Sequence, residues 1–245
     1  MLQVPEQIVS AAGRDAGGPT MHIEPEIVTG AKLVLGYATA AAAGGFAVKL
    51  AIDTVRRQGG VSFVLRSAIT TALVFSFFEV LPHFRVGVSE VHFILGSTLF
   101  LLFGAAPAAF GLALGLLLQG LFFAPADLPQ FGMNVTTLLV PLFAIRALAA
   151  RIIPRDTAYV DLQYGQALAL STAYQSGIVA WVAFWAIYGA GFGVTNLANI
   201  ATFAGSYALV IVIEPLADLA VLALAKSLRG VTADGFVTDR LHNAA

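Results

Sequence analysis

Seven apolar stretches run through this chain, and its few charged residues lie almost entirely between them. A segment that crosses the hydrocarbon layer of a membrane needs about 20 residues with few charges. It must also be helical, because lipid offers no hydrogen-bond partners to an exposed backbone. Charged residues make up only 11% of the chain, against roughly 25% in soluble domains. The sequence therefore predicts an all-α integral membrane protein, a helical bundle of about seven transmembrane helices.

The predicted spans differ in length, and two of them are short. The seven apolar stretches cover residues 30–52, 61–81, 92–106, 108–124, 133–150, 165–188 and 197–226. Pro107 separates the third stretch from the fourth. Proline interrupts a helix because it lacks the backbone N–H and clashes with the preceding turn. Residues 92–124 are therefore expected to form either two full spans or a broken hairpin.

The distribution of Lys and Arg predicts the orientation of the bundle. Seven crossings place the two termini on opposite sides, and cytoplasmic loops carry an excess of basic residues. Only Arg14, Lys32 and Arg85 fall on the side of the N-terminus. The other ten of the 13 basic residues fall on or nearest the opposite side: Lys49, Arg56, Arg57, Arg66, Arg146, Arg151, Arg155, Lys226, Arg229 and Arg240. We therefore expect the N-terminus outside and the C-terminus in the cytoplasm, with Trp181, Trp185 and Tyr188 in an outer aromatic belt.

Several classes of function are excluded by what the sequence lacks. It contains no cysteine, which rules out disulfides, thiolate zinc sites and cysteine-ligated iron–sulfur clusters within the chain. It contains no GxxxxGK[ST] run, so it does not hydrolyse ATP by the P-loop route. A net charge of −1 gives no electrostatic basis for binding nucleic acid. Any energy for active transport is therefore expected to come from a partner or an ion gradient.

The two ends of the chain differ from the apolar centre. Residues 1–20 lack the apolar core of a signal peptide and are expected to be a polar extension, either disordered or the result of a translation start placed too early. Met21 is itself a plausible initiator. The transmembrane bundle is expected to cover residues 21–226, and residues 227–245 to form a short polar cytoplasmic tail.

Nitrogen and carboxylate side chains collect on the predicted outer side. Three of the four histidines lie there, together with several acids: His22, His83 and His92, with Glu24, Glu26, Glu79, Glu90 and Asp127. One histidine at a membrane surface is usually an interfacial residue. Several donors at one end of a bundle favour a metal or ligand site instead.

Four short motifs resemble those of a known transporter family. Residues 21–25 (MHIEP) are similar to the Met-His-Ile opening of the CbiM/NikM family, the substrate-binding membrane components of cobalt and nickel energy-coupling-factor transporters. Residues 87–96 (GVSEVHFILG) resemble the family segment that carries a second metal-binding histidine. Residues 119–124 (QGLFFA) and 132–134 (GMN) resemble the next loop. The similarity extends over residues 21–226 in matching order.

The resemblance implies a metal site built mainly from nitrogen. In that family the terminal amine, the second residue's amide and imidazole, and a later histidine hold the metal, which here correspond to Met21, His22 and His92. Nitrogen-rich sites suit Ni(II) and Co(II), which would be the transported substrates, with no organic cofactor. Supporting or additional ligands are expected among His83, Ser89, Glu90, Glu24 and Asn134, and residues 82–91 are expected to fold over the site.

The resemblance also implies that the protein is a transporter component rather than an enzyme, and that it acts with partners. Uptake would require a transmembrane coupling subunit (the T component) and separate ATPase subunits in the inner (plasma) membrane, and a small accessory membrane subunit is a further candidate. In the resembled family, a small-residue face on the first helix docks against the coupling subunit. Residues 38–45 provide such a face, which suits packing within the bundle equally well.

The sequence leaves the role of Glu214 undecided, and it also leaves two alternative functions. Glu214 lies within the last apolar stretch, where an ionisable group is usually functional, but its position near the cytoplasmic end also suits an interfacial role. One alternative is a membrane redox protein that uses His22 and His92, or His83, at a haem or quinone site. The other is a metal-independent permease whose histidines are interfacial.

Overall fold

The computed structural model describes residues 28–81, 84–228 and 235–244. Seven α-helices form the bundle within these residues: α1 (Leu33–Gln58), α2 (Gly60–Glu79), α3 (Gly96–Phe103), α4 (Ala105–Phe122), α5 (Phe131–Ile152), α6 (Tyr164–Ala190) and α7 (Val194–Ser227). Short 3₁₀ turns occupy Gly30–Lys32, Pro125–Gln130, Tyr159–Asp161 and Asp239–Leu241. A two-stranded antiparallel hairpin, β1 (Phe84–Val86) and β2 (Ser89–Val91), connects α2 to α3. The predicted all-α membrane bundle is confirmed.

The helices define two faces of the bundle. At the N-terminal face, where α1 begins, Lys32 Nζ donates hydrogen bonds to the carbonyls of Tyr188 and Gly189 at the end of α6. At the C-terminal face, where α1 ends, the Ser62 hydroxyl at the start of α2 donates to the Gly235 carbonyl. The described bundle therefore begins on one face and ends on the other, as an odd number of crossings requires.

The third crossing is only partly helical. Six helices in the described part of the chain are long and apolar enough to span a membrane, whereas α3 has eight residues. An eight-residue helix rises about 12 Å, well short of the roughly 30 Å hydrocarbon layer. Residues 92–95 have no regular secondary structure, and four residues of non-helical chain add at most about 13 Å. Together they connect the hairpin at the N-terminal face to the C-terminal face.

The helix of this crossing begins inside the bundle. Leu95, just before α3, has a φ of 53°, the left-handed conformation that non-glycine residues seldom adopt. Gly96 then packs directly on the buried ring of Tyr174, where a Cβ would lie 2.1 Å from a ring carbon. A side chain at position 96 therefore cannot be accommodated. The start of α3 differs from the predicted start of the span at His92 because the tight contact with α6 fixes where the chain enters the helix.

Small residues allow close contact between neighbouring helices. Gly111 and Gly115 of α4 lie against Thr70 and Val74 of α2, so closely that a Cβ at either glycine would lie under 3 Å from the nearest side-chain atoms. Such contacts are the usual basis of helix association in lipid, since no hydrophobic driving force operates there. The close pair formed by α2 and α4 supports the broken third crossing from one side.

The C-terminal segment returns to the bundle. The Thr238 N–H donates to the Leu102 carbonyl near the end of α3 at 2.8 Å, and Gln58 Nε2 donates to Asp239 Oδ2 at 2.9 Å. Leu241 is buried in the main apolar core. Residues 235–244 thus cover part of the C-terminal face, which the polar composition of this segment alone did not indicate.

Candidate functional site

A small polar cavity lies where the third crossing leaves the hairpin. Its volume is about 30 Å³, which is enough for a single water or ion. Hydroxyl, carboxylate, imidazole and amide groups share its wall with apolar side chains; the lining residues are Phe78, Ser89, Glu90, His92, Ile94, Asn134, Thr137, Leu138, Ile178, Val182, Phe203 and Tyr207. The cavity therefore brings together side chains from separate elements of the bundle.

His92 and Glu90 form the centre of the polar wall. The imidazole is 3% exposed and the carboxylate 7%, and His92 Nε2 lies 3.3 Å from Glu90 Oε2. Phe78 packs edge-on against the imidazole, with ring centroids 5.3 Å apart. A carboxylate beside an imidazole fixes the orientation and tautomer of the ring. Two donor atoms this close can also bind one ion together, since bonds of about 2.1 Å each span up to about 4.2 Å.

The hairpin positions Ser89 and Glu90, and His92 follows it directly. Ser89 and Glu90 lie on β2, and the turn at Gly87 contacts α7 so closely that a Cβ would meet the Asn199 carbonyl oxygen at 2.1 Å. Glycine is required here both by this contact and by its φ of 66°. The hairpin therefore packs onto the bundle, with Ser89 and Glu90 buried against the cavity.

Asn134 contributes an amide to the cavity from α5. It is 4% exposed on α5, and within the described residues its Oδ1 atom has no hydrogen-bond partner. An unpaired buried acceptor costs free energy unless a ligand or water satisfies it. Asn134 also borders a second, smaller cavity with Gln119 and Asp127. The amide is thus available to whatever occupies the main cavity.

The described structure places four of the eight sequence-derived candidates. His92, Ser89, Glu90 and Asn134 share the cavity wall. Met21, His22, Glu24 and His83 lie outside the described residues, so their contribution to a site stays a prediction. Among the described residues no three His, Cys, Asp or Glu side chains form a metal-binding group.

Sequence reasoning did not identify Tyr207. This residue is 1% exposed on α7, and its hydroxyl hydrogen-bonds to the backbone of His92. Phe203, one turn earlier, also lines the cavity. Their four-residue spacing is the only signal in the sequence, and it is shared by every buried pair of an apolar helix.

A buried acidic pair on α7 holds the broken crossing in place. Asp218 Oδ2 accepts a 2.8 Å hydrogen bond from the Ser97 hydroxyl, and the Thr98 hydroxyl donates to Oδ1. Glu214, one turn earlier, accepts from Gln175 Nε2 and interacts with the Leu95 backbone. Both acids are fully buried. A carboxylate at the start of α3 is also favoured by the positive end of the helix dipole.

These features define a class of protein. A membrane bundle in which one crossing is interrupted, with polar groups buried beside the interruption, is the arrangement by which transport proteins bind a solute within the membrane. Non-helical backbone at that depth is tolerated only where protein or a polar cavity covers it.

Comparison with known families identifies the particular family to which the chain belongs. The family model of the cobalt uptake substrate-specific transmembrane region, CbiM, matches residues 22–230, and the chain belongs to this family. It is accordingly a multi-pass membrane protein and a transport component for cobalt uptake rather than a known type of enzyme. Comparisons with curated proteins and with solved structures gave no match.

Proposed function

We propose that this protein captures Co(II) or Ni(II) at the N-terminal face of the bundle, with His92 as a ligand from the broken crossing. The observation that carries the proposal is the burial of His92 beside Glu90, in a cavity that also contains Ser89 and Asn134. Imidazole and carboxylate are suitable ligands for these divalent ions. The remaining nitrogen ligands are proposed to come from His22 and Met21.

The start of the described chain supports this ligand set. Val28 is fully buried in the main core and lies just before α1, which begins at the N-terminal face. Val28 lies six positions after His22, and fully extended chain of that length spans about 20 Å. We propose that His22 reaches the cavity from this face of the bundle.

The charge distribution supports binding from outside the cell. The basic side chains at the ends of α1 and α5, and in the C-terminal segment, lie at the C-terminal face, and basic residues mark the cytoplasmic side. We therefore propose that the N-terminal face is external and that the protein resides in the inner (plasma) membrane.

The exposed face of α1 supports a partner in transport. Ala38, Ala41, Ala42 and Gly45 are partly or fully exposed in the bundle, and a Cβ at Gly45 would meet nothing within 4 Å. Small residues that no helix of the bundle covers allow another transmembrane helix to approach closely. We propose that this face docks a T component, which joins the protein to ATPase subunits of an energy-coupling-factor transporter.

Metal titration tests the proposed site. The protein in detergent is titrated calorimetrically with Ni(II) and Co(II), together with the His92→Ala, His22→Ala and His242→Ala variants. We expect His92→Ala to weaken binding at least tenfold and His22→Ala nearly to abolish it. His242, in the C-terminal segment, serves as the matched control and should leave the affinity unchanged. Unaltered affinity in His92→Ala contradicts the proposal.

A further inference from the structure

Another cavity, larger than the two already described, opens at the C-terminal face. Its volume is about 380 Å³, within the range of roughly 300–1,000 Å³ typical of ligand pockets. It lies between α1, α2, the α3–α4 junction, α5 and the C-terminal segment. Four arginines line it: Arg57, Arg66, Arg146 and Arg240. No carboxylate is among its described lining residues, so the lining itself carries a net positive charge. Asp239, just outside this lining, acts electrostatically on Arg66.

We propose that this cavity binds the phosphate group of an anionic phospholipid. Arginine is the side chain best suited to phosphate, because its planar group donates two parallel hydrogen bonds to phosphate oxygens. Basic pockets between transmembrane helices are a recurring form of lipid headgroup site. This site is separate from the metal cavity, which lies at the opposite face.

Arg66 supplies a fixed and buried positive charge. It is 1% exposed, and its Nη1 and Nη2 atoms donate to the Phe103 carbonyl at 3.0 Å and to Gln58 Oε1 at 2.6 Å. Both acceptors are neutral, so they hold the guanidinium without cancelling its charge. In the parts of the chain that the structure describes, none of the four arginines forms an ion pair with a carboxylate. Asp239, which accepts a hydrogen bond from Gln58, acts on the Arg66 guanidinium electrostatically without forming an ion pair with it. A buried charge that is only partly balanced is costly, and a bound anion would reduce that cost.

Arg240 is oriented by the protein and retains a donor. Its Nη2 atom donates to the Pro154 carbonyl at 2.9 Å, and the guanidinium lies over the Tyr159 ring at 5.1 Å. The buried Nε has no hydrogen-bond partner within residues 28–81, 84–228 and 235–244. Burial raises the pKa of the Tyr159 phenol, against the opposing effect of Arg240 and Arg146. The hydroxyl accordingly stays protonated at neutral pH and can donate to an anion.

The apolar part of the cavity lining favours a lipid over a free ion. Phe100, Phe103 and Leu50 line it, and Leu50 forms a separate apolar cluster with Ala51 and Ala106. A phospholipid has an anionic headgroup attached to apolar chains, which matches a lining that contains both arginines and apolar side chains. Inorganic phosphate would use only the arginines.

Lipid titration tests the inference with a matched pair of variants. Lipid-depleted protein in detergent is titrated with phosphatidylglycerol, with phosphatidylcholine of the same acyl chains, and with inorganic phosphate, and bound molecules are counted by native mass spectrometry. The test variant carries Arg146→Gln and Arg240→Gln. The control carries Arg56→Gln and Arg151→Gln, which remove two charges at the same face from residues that do not line the cavity.

We expect wild-type protein and the control to bind phosphatidylglycerol in preference to phosphatidylcholine, and the test variant to bind it at least tenfold more weakly. A second outcome is that wild-type protein binds inorganic phosphate, binds phosphatidylglycerol no more tightly than phosphate, and loses phosphate binding in the test variant. This outcome supports the phosphate site and identifies the free ion as its ligand. Equal binding of the two lipids, or equal loss in both variants, overturns the inference. So does weakened assembly with other subunits while lipid binding is unchanged. Metal titration of the test variant checks its folding independently.

Discussion

Asp218 and Ser97 join the last helix of the bundle to the start of α3 through a 2.8 Å hydrogen bond between two fully buried side chains. The two residues are 121 positions apart in the sequence. Because α3 continues directly from the segment that carries His92, the position of this histidine depends on a residue far from it in the chain.

Replacing Asp218 should therefore affect both stability and binding. Asp218→Leu leaves the Ser97 and Thr98 hydroxyls without their acceptor, and each unsatisfied buried group costs about 1–3 kcal/mol. We expect a clear fall in the thermal unfolding midpoint in detergent and weaker metal binding. Asp161→Asn is the control, since its ion pair with Lys226 is exposed and such pairs contribute about 0–1 kcal/mol. An Asp218→Leu protein as stable as this control would show that the contact does not hold α3.

Glu90→Gln tests the role of the carboxylate beside His92. Glutamine preserves the shape but removes the charge, so we expect the affinity for Ni(II) and Co(II) to fall about 10–100-fold, as is usual when a carboxylate that orients a ligand is lost. Calorimetric titration measures this. Affinity equal to that of the wild type would mean that Glu90 neither orients His92 nor binds the metal.

Metal affinity should also depend on pH. A histidine must be neutral to bind a metal, so protons compete with the ion. We therefore expect the affinity to fall as the pH is lowered through the range in which histidine ordinarily titrates, and the remaining affinity of His92→Ala to show a shallower dependence. Parallel pH profiles for the two proteins would argue against His92 as a ligand.

The first twenty residues provide a test of the chain start. If Met21 supplies a terminal amine, a preceding peptide bond converts that donor into an amide, which binds metal only after losing its proton. Protein that begins at Met21 should bind Ni(II) at least tenfold more tightly, equivalent to about 1.4 kcal/mol. Mass spectrometry of the intact N-terminus identifies each form before titration. Equal affinities would show that the terminal amine is not a ligand here.

Gly45→Leu tests the proposed docking face of α1. A Cβ at Gly45 meets nothing within 4 Å, and the same is true of Gly205 on α7, so neither substitution should disturb the bundle itself. We expect Gly45→Leu to reduce metal uptake by cells that also contain the coupling and ATPase subunits, with metal binding by the purified protein unchanged. Gly205→Leu is the matched control. Equal uptake by the two variants would place the docking face elsewhere.

Single cysteines test the orientation. The chain contains no cysteine, so each introduced one is the only thiol to be labelled. Phe192, which is 76% exposed between α6 and α7, lies at the N-terminal face, and Arg155 lies beyond the end of α5 at the other. A membrane-impermeant reagent on intact cells should label Phe192→Cys and leave Arg155→Cys unlabelled. The reverse pattern would invert the proposed topology.

Local sequence patterns predicted the helices well, because each long apolar run must be helical in lipid. They did not predict that the third crossing is non-helical at residues 92–95. That conformation depends on Asp218, Glu214 and Tyr174, which reach it from distant helices and follow no local pattern. The resemblance of residues 87–96 and 132–134 to a known family indicated Ser89, Glu90, His92 and Asn134, which the structure brings to one cavity. Tyr207 had no such motif to identify it.

The dependence of the cavity on α7 has a consequence for biosynthesis. Phe203 and Tyr207 close one wall of the cavity, and Asp218 anchors α3, yet all three leave the ribosome only after the other six helices have been made. An unfinished chain in the membrane carries His92 but lacks the wall and the anchor that complete its surroundings. The complete surroundings of His92 therefore exist only once α7 has been made and has packed against α3.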